Sequence, residues 1–259
     1  MEKKKLKILT YNLRCNSASD GVNMFDIRKG LILDKLTREA PDIIGFQEML
    51  PAMRAFLKRH LTGYTIVGRS RSADYGGEHV DIAFNTETTD VFALEYFWLS
   101  PSPYAAGSRY ENQSSCPRIT TAGVFKHRGF AEPFRVYNTH LDHVGEEARV
   151  KGMKLILDKI AEDGGRFKLP VLLMGDMNAE PGSEAVKLAL QAPLTDLTAG
   201  VKSSFHGWGS LENVKIDYIF ADAAVTDKFS AEVSVWDDCV SGVYLSDHYP
   251  VMVTLEEKE

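Results

Sequence analysis

The string Pro170-Val171-Leu172-Leu173-Met174-Gly175-Asp176-Met177-Asn178 closes a pattern that opens at Tyr137-Asn138-Thr139-His140 and passes through Leu155-Ile156-Leu157-Asp158-Lys159-Ile160. Residues 7–48 run in the same order. Tyr11-Asn12 ends an alternating segment, Leu31-Ile32-Leu33-Asp34-Lys35-Leu36 follows, and Pro41-Asp42-Ile43-Ile44-Gly45-Phe46-Gln47-Glu48 closes it. The spacings nearly match, with Asn12 and Glu48 separated by 36 positions and Asn138 and Asp176 by 38. Val150, Met153, Leu157 and Ile160 recur at helical spacing, whereas the Pro-led apolar runs are short enough for buried strands. Each half therefore reads as strand, helix, strand. Open sheets bind ligands beyond the carboxyl ends of their strands, so Asn12, Glu48, His140, Asp176 and Asn178 are expected on one rim. Two such halves packed sheet to sheet, with helices outside, give an α/β fold of four layers, αββα.

Further strands are predicted around Tyr64–Gly68, Val80–Asn85, Val91–Leu99, Arg118–Lys126, Val214–Ala221, Ala231–Trp236 and Pro250–Leu255, with helices at Pro51–His60 and near Ser183–Leu190. The stretch from Ser100 to Pro117, rich in Pro, Ser and Gly, reads as a long surface loop. No linker divides the 259 residues, and mixed folds reach ~250 residues as one unit, so residues 1–259 are read as a single catalytic domain.

Composition narrows the function classes. Thirty basic against 36 acidic side chains leave a formal charge of −6, which argues against strong binding to duplex nucleic acid. Cys15, Cys116 and Cys239 are odd in number and form no C-x-x-C pair, so a reduced, cytoplasmic protein is expected rather than a disulfide scaffold or thiolate zinc site. The basic start, Met1-Glu2-Lys3-Lys4-Lys5, leads into an alternating segment instead of an apolar signal core, and no run approaches the ~20 apolar residues of a membrane helix. Neither secretion nor membrane insertion is expected, and the chain is read as a monomer.

The polar clusters at strand ends carry the chemistry. Singly, Asp176-Met177-Asn178 could be turn chemistry and Glu48 a capping acid. Jointly they form six clusters of carboxylate, amide and imidazole: Tyr11-Asn12, Gln47-Glu48, Asn138-Thr139-His140, Gly175-Asp176-Met177-Asn178, Ile216-Asp217-Tyr218 and Ser246-Asp247-His248. This set resembles the endonuclease/exonuclease/phosphatase superfamily, which holds deoxyribonucleases, apurinic endonucleases, sphingomyelinases, inositol-polyphosphate 5-phosphatases and deadenylases. Thr10-Tyr11-Asn12-Leu13-Arg14, Gly45-Phe46-Gln47-Glu48, Phe97-Trp98-Leu99-Ser100, Cys116-Pro117-Arg118-Ile119 and Asn138-Thr139-His140-Leu141-Asp142-His143 are most similar to its uncharacterised bacterial branch. The resemblance implies the αββα sandwich and hydrolysis of phosphate esters with Mg²⁺ or Mn²⁺.

Driving water onto a phosphate ester calls for positive charge on the nonbridging oxygens, a group that orients and deprotonates water, and stabilisation of the leaving oxygen. By resemblance, Glu48 and Asp247 are the metal ligands, with Asn12 alongside. His248 polarises the phosphate or transfers a proton, and Asp217 holds its other ring nitrogen. His140 pairs in the same way with Glu78. Asp176 is preferred over His248 for activating water, Asn178 binds a phosphate oxygen, and Arg118 and Asn138 are further phosphate contacts. One or two metals are both compatible with this set.

Other polar and aromatic residues take plainer roles. His60 reads as a last-turn cation favoured by the helix dipole, His127 as a solvated turn residue, and Trp98 as packing. Phe205 and Trp208 either face substrate or pack on the sandwich edge, and Asp142 and His143 are rim candidates. The inositol-polyphosphate 5-phosphatase strings are absent, since Ala179 follows Asp176-Met177-Asn178 and Lys215 precedes Ile216-Asp217. The readings carried forward are a phosphodiesterase or phosphatase acting on a small or single-stranded substrate, a nuclease of the same fold, and a non-catalytic binding module.

Overall fold

The computed structural model describes residues 4–258. Both predicted β-α-β halves are present. Strand β1 (Lys5–Asn12), helix α1 (Phe25–Glu39) and strand β2 (Ile43–Met49) form the first, and β1 and β2 lie parallel in direct contact. Helix α2 (Pro51–His60) follows, then β3 (Tyr64–Ser70), β4 (His79–Asn85), β5 (Thr89–Trp98) and β6 (Ile119–His127). The second half is β7 (Phe134–His140), helix α3 (Glu146–Arg166) and β8 (Val171–Asp176), again with parallel, adjacent strands. The chain ends with α4 (Glu184–Gln191), β9 (Thr195–Asp196), β10 (Asp217–Ala221), α5 (Ala223–Thr226), β11 (Phe229–Val235), the hairpin β12 (Cys239–Val240) and β13 (Val243–Tyr244), and β14 (Val251–Glu257).

Two six-stranded mixed sheets result, ordered β11-β14-β1-β2-β4-β3 and β5-β6-β7-β8-β10-β9. Side-chain alternation sorts the apolar residues into three layers. Ile8, Ile43, Ile82, Val136, Leu172 and Met174 fill the space between the sheets. Leu9, Tyr11, Ile44 and Phe46 pack outward onto Ile32, Leu36, Met53 and Leu57 of α1 and α2. Tyr137, Leu173 and Tyr218 pack outward onto Met153, Ile156 and Val186 of α3 and α4. This is the four-layer sandwich expected. Among the described residues no helix is long and apolar enough to cross a membrane.

Alternation identifies a residue's face but not its depth, and this corrects one reading. Asn138 shares a face with His140, but it lies one pleat, ~6–7 Å, farther from the rim. There it is fully buried between the sheets. Its Nδ2 donates to the Phe46 carbonyl at 3.0 Å and to the Asp81 carbonyl at 2.8 Å, and its Oδ1 accepts from Gln47 Nε2 at 2.7 Å. A Cβ at Gly45 would lie 2.7 Å from that oxygen, so the close approach of β2 depends on glycine. Asn138 is a tie between sheets, not a phosphate contact. His127 also departs from its expected role, being buried with Nε2 at 3.4 Å from Asp42 and Nδ1 accepting from Gly129 N–H. His60, at the end of α2 against the Phe56 ring, and the buried Trp98 are placed as read.

Asn138→Ala removes three buried hydrogen bonds across the sheets and is expected to lower stability by roughly 2–4 kcal/mol while leaving KM nearly unchanged. Thermal unfolding together with steady-state kinetics checks this. A raised KM at unaltered stability would restore the substrate contact.

Candidate active site

Register brings the reactive groups together. On three neighbouring strands His140 lies opposite Asp176 and Asp176 opposite Asp217, so β7, β8 and β10 present an imidazole and two carboxylates side by side at one rim. From the other sheet, Asn12 ends β1, and Glu48 follows Gln47 on β2 where pairing with β4 slips between Phe46 and Met49. Glu48 has φ 59° and Asn178 φ 46°. Asn tolerates the left-handed region, but for Glu it costs on the order of 1–3 kcal/mol, a strain typical of functional positions. The segment Ser246–His248 enters from the approach to β14.

Asn12 joins the two sheets. Its Nδ2 donates to Glu48 Oε1 at 3.1 Å and to Asp176 Oδ2 at 2.9 Å, while its Oδ1 accepts from the Arg14 backbone N–H at 2.9 Å. The backbone N–H of Cys15 donates to Glu48 Oε2 at 3.1 Å. Burial opposes the charge on Glu48, yet His248, Asn12, Cys15 N–H and Arg14 together hold its carboxyl below the ordinary range. Asp176 goes the other way. Burial first and then Asp217 push it up to about 7, against His248, the Asn178 N–H and Asn12.

His248 donates Nδ1–H to Asp217 Oδ2 at 2.8 Å and holds Nε2 at 3.9 Å from Asp176 Oδ2. Burial alone would discharge the ring. Asp217, through its charge and hydrogen bond, together with Asp176 and Asp247, outweighs burial and pushes His248 up to about 10. It is an imidazolium at neutral pH. Asp217 is itself fixed by Ser204 Oγ, which accepts the N–H groups of Ile216 and Asp217 at 3.0 and 2.9 Å.

His140 stays neutral, because burial and then Arg118 and Arg71 hold it well below the usual histidine range, and its Nε2 lies 3.4 Å from Asp176 Oδ2. No hydrogen bond joins it to Glu78 among the described residues. Glu78 bonds Arg71 Nη2 instead, at 2.7 Å, so the expected His140–Glu78 pair is corrected to an Arg71–Glu78 pair. Asn178 donates Nδ2–H to the Leu141 carbonyl at 3.0 Å and its backbone N–H to Asp176 Oδ1 at 2.8 Å.

These groups open into a cavity of about 390 Å³, within the range of small-molecule sites, ~300–1,000 Å³. Of the expected residues, Glu48, Glu78, Arg118, His140, Asp176, Asn178, Asp247 and His248 line it. Asn12 and Asp217 stand directly behind the lining, and Asn138 does not reach it. Phe205 lines the cavity with its ring 4.8 Å from His248, whereas Trp208 lies under the Arg28 guanidinium. Arg14, Arg71, Cys15 and Cys116 also line it and were not anticipated as site residues. Single arginines and cysteines in loops carry no spacing signal.

Two donor sets bear on a metal. Glu48 and Asp247 supply hard carboxylate oxygens, with Asn12 alongside, its amide nitrogen turned to Glu48 and its oxygen to the Arg14 N–H. Burial raises Asp247, and Glu48 adds to it, against the opposing charges of His248, Arg14 and Arg28; Arg14 Nε lies 3.7 Å from Asp247 Oδ2. Two carboxylates on the same cavity, one held ionised and the other pushed up by burial and by the charge of the first, fit a divalent cation of the Mg²⁺ or Mn²⁺ class. Asp176, Asp217 and His248 also offer ligand atoms within 4.8 Å of one another. There His248 Nδ1 is already bonded to Asp217, which leaves Nε2 as the ring atom that could meet an ion.

Comparison with known proteins agrees with this geometry. The structure superposes on an endonuclease/exonuclease/phosphatase protein from Bacteroides vulgatus with a TM-score of 0.89 at 28% identity, covering 99% of this chain and 100% of that one. A mannosyl-6-phosphatase from Bacteroides thetaiotaomicron superposes with a TM-score of 0.84 at 27% identity, over 96% and 99% of the two chains. Zebrafish TDP2, complexed with single-stranded DNA product, shares the fold with a TM-score of 0.76 at 20% identity, over 97% and 99%. No curated protein matches the chain. The family model for Endonuclease/Exonuclease/phosphatase matches residues 9–248, from the first strand to His248 itself, and the chain belongs to that family.

Proposed function

We propose that the chain is a divalent-cation-dependent phosphoesterase acting on a small phosphate ester. The observation that carries this reading is one connected series at the cavity: His248 hydrogen-bonds Asp217 and holds its other ring nitrogen 3.9 Å from Asp176, and the Asn12 amide hydrogen-bonds both Asp176 and Glu48. Further support comes from the mannosyl-6-phosphatase that the chain resembles over its length.

Glu48 and Asp247 would hold the cation, which when bound draws negative charge away from the phosphate and the leaving oxygen. Asp176, raised to about 7 and fixed by Asn12 and the Asn178 N–H, is suited to orient a water and accept its proton near neutral pH. His248 presents a protonated Nε2 to the phosphate, and Asp217 keeps it charged and oriented without entering the reaction. Neutral His140 and the second N–H of the Asn178 amide offer hydrogen bonds to nonbridging oxygens. Each of these groups comes from one chain, which supports a monomer, and three free cysteines suit a reducing cytoplasm. A binding module without catalysis is the weaker reading, because each group needed for the reaction is present.

Small substrates are favoured by charge. Arg14 sits bidentate on Asp20 at 3.0 and 3.1 Å, Arg71 on Glu78, and Arg118 against Asp142, so the cavity carries no run of free cations with which to follow a polyanion.

Adding Mg²⁺ at ~100 times its Kd should stabilise the fold by about 2.7 kcal/mol, roughly 5–10 °C in the midpoint of a chain this size, and Glu48→Gln should remove most of that gain. An equal response from both proteins counts against the site. For the imidazole pair, Asp217→Asn is expected to lower kcat by ~100-fold or more with the fold intact. His248→Ala should add little to it, because paired residues act as a unit; additive losses in the double variant contradict the pairing. Activity on the best ester of a panel of monoesters, diesters and nucleic acids should change only a few-fold between about 50 and 200 mM salt. A fall of ~1,000-fold, the signature of many phosphate contacts, would point to a nuclease instead.

A further inference from the structure

One wall of the cavity is not used by the chemistry above. It is built from Arg71, Glu78, Arg118 and His143, with Cys116 between the guanidiniums. Arg71 donates Nη2–H to Glu78 Oε1 at 2.7 Å and to Cys116 Sγ at 3.3 Å, and its carbonyl accepts the Trp98 indole N–H at 2.7 Å. Arg118 donates Nη2–H to His143 Nδ1 at 2.7 Å and holds Nε at 3.5 Å from Asp142 Oδ1. Its side chain is only 4% exposed, and its Nη1 has no hydrogen-bond partner. Leaving a buried guanidinium donor unsatisfied is costly, and native structures seldom do so without a ligand, water or ion to complete it.

The charge pattern selects the class of ligand. Arg71 and Arg118 each stand against a carboxylate, Glu78 and Asp142, so the wall is close to neutral. A second phosphate would meet Arg118 but would also face Glu78 and, beyond it, Glu48. A hydroxyl group has no such conflict, since it donates to a carboxylate oxygen and accepts from a guanidinium N–H at once. Paired carboxylate and guanidinium groups therefore match adjacent hydroxyls. Phe205, on the cavity lining beside His248, adds an apolar ring against which the C–H face of a sugar can lie.

We infer that the Arg71–Glu78–Arg118 wall is a leaving-group subsite for a polyol, so that the substrate is a sugar phosphate whose phosphate meets His140, Asn178 and His248 while its hydroxyls bridge Glu78 and Arg118. This rests on the phosphoesterase reading and assigns Glu78 and Arg118 to recognition of the leaving group in place of the roles suggested by resemblance. Trp98 and Asp142 act as positioning residues, fixing Arg71 through its carbonyl and Arg118 through its guanidinium.

The test compares mannose 6-phosphate with cyclohexylmethyl phosphate in the presence of Mg²⁺. Both release a primary alcohol on a six-membered ring, but only the first carries ring hydroxyls. Wild type is expected to prefer the sugar phosphate by ~10-fold or more in kcat/KM, because a site built to bond hydroxyls rejects the analogue that lacks them. Glu78→Gln and the charge-conserving Arg118→Lys should each shrink that ratio several-fold, chiefly by raising KM for the sugar phosphate, with circular dichroism confirming that both fold. Equal wild-type rates on the two esters, or variants that slow both esters alike, overturn the polyol subsite and leave the phosphoesterase reading standing. Preference for a nucleoside 5′-phosphate over the sugar phosphate overturns it too, placing a base on Phe205. Cleavage of a diester with no turnover of either monoester overturns the small-monoester reading and the subsite with it.

Discussion

The amide of Asn12 is the constraint around which the site is built. Two sheets packed face to face each bring a carboxylate to the same rim, and both acids are buried deeply enough that desolvation works against their charge. One side-chain amide donates a hydrogen to each, at 3.1 and 2.9 Å, and thereby ties β2 of one sheet to β8 of the other. The amide keeps its own orientation through the Arg14 N–H on Oδ1, and its backbone carbonyl accepts the Ser246 hydroxyl at 2.7 Å. Deeper between the sheets Asn138 repeats the device with backbone carbonyls as partners. The two asparagines are thus a pair of cross-sheet ties, one at the rim holding reactive acids and one a pleat below holding only the fold.

The duplicated β-α-β unit produces an asymmetric site because the two strand ends have different neighbours. In the first unit the strand slips out of register at Glu48, where His248, the Asn12 amide, the Cys15 N–H and Arg14 stabilise its charge. In the second, regular pairing sets Asp176 directly opposite Asp217, which destabilises it. Two carboxylates at one rim, Asp176 fully buried and Glu48 partly so, are driven apart in proton affinity, one to remain ionised and one to exchange a proton near neutrality. Such separation is how a fold assigns distinct roles to like groups. His248, between Asp176 and Asp217, lowers the first and is itself kept charged by both.

Most of this was legible in the sequence where one short-range rule decides the outcome. Helix α2 has the predicted bounds, Pro51–His60, because Pro opens it and Lys58, Arg59 and His60 close it in favour of the dipole. The parallel pairs β1/β2 and β7/β8 follow from apolar runs separated by one helix. Errors arose where depth or a loop decides. Period two places Asn138 on the face of His140, but only the packed second sheet shows that one pleat below the rim this face is closed off by the Phe46 and Asp81 carbonyls. Glu78 was matched to His140 through motif logic, yet Arg71, seven residues earlier on the same β3–β4 connection, lies within reach and claims it. His127 looks like a turn residue until Asp42, from the start of the other sheet's β2, is brought against it by folding.

That division has a physical basis in how the two kinds of residue are held. The groups assigned to chemistry sit on or next to strand ends, fixed by ladder register and by hydrogen bonds within the sandwich. The wall of Arg71, Glu78 and Arg118 is held mainly by loops, and those loops converge on Asp142. One of its oxygens accepts the N–H groups of Ser114, Val144 and Gly145 at 3.2, 3.1 and 2.7 Å, and the other takes the Ser114 hydroxyl and faces Arg118. Burial resists its charge, but the Gly145 and Ser114 bonds prevail and hold it at about 2, so the clamp stays ionised over the working range of pH. A single aspartate two residues past His140 therefore sets the 100–117 loop and Arg118 relative to the reactive rim. Changing those loops would alter what the wall accepts while the strand ends keep their geometry, because the reactive groups take their positions from ladder register and not from the loops.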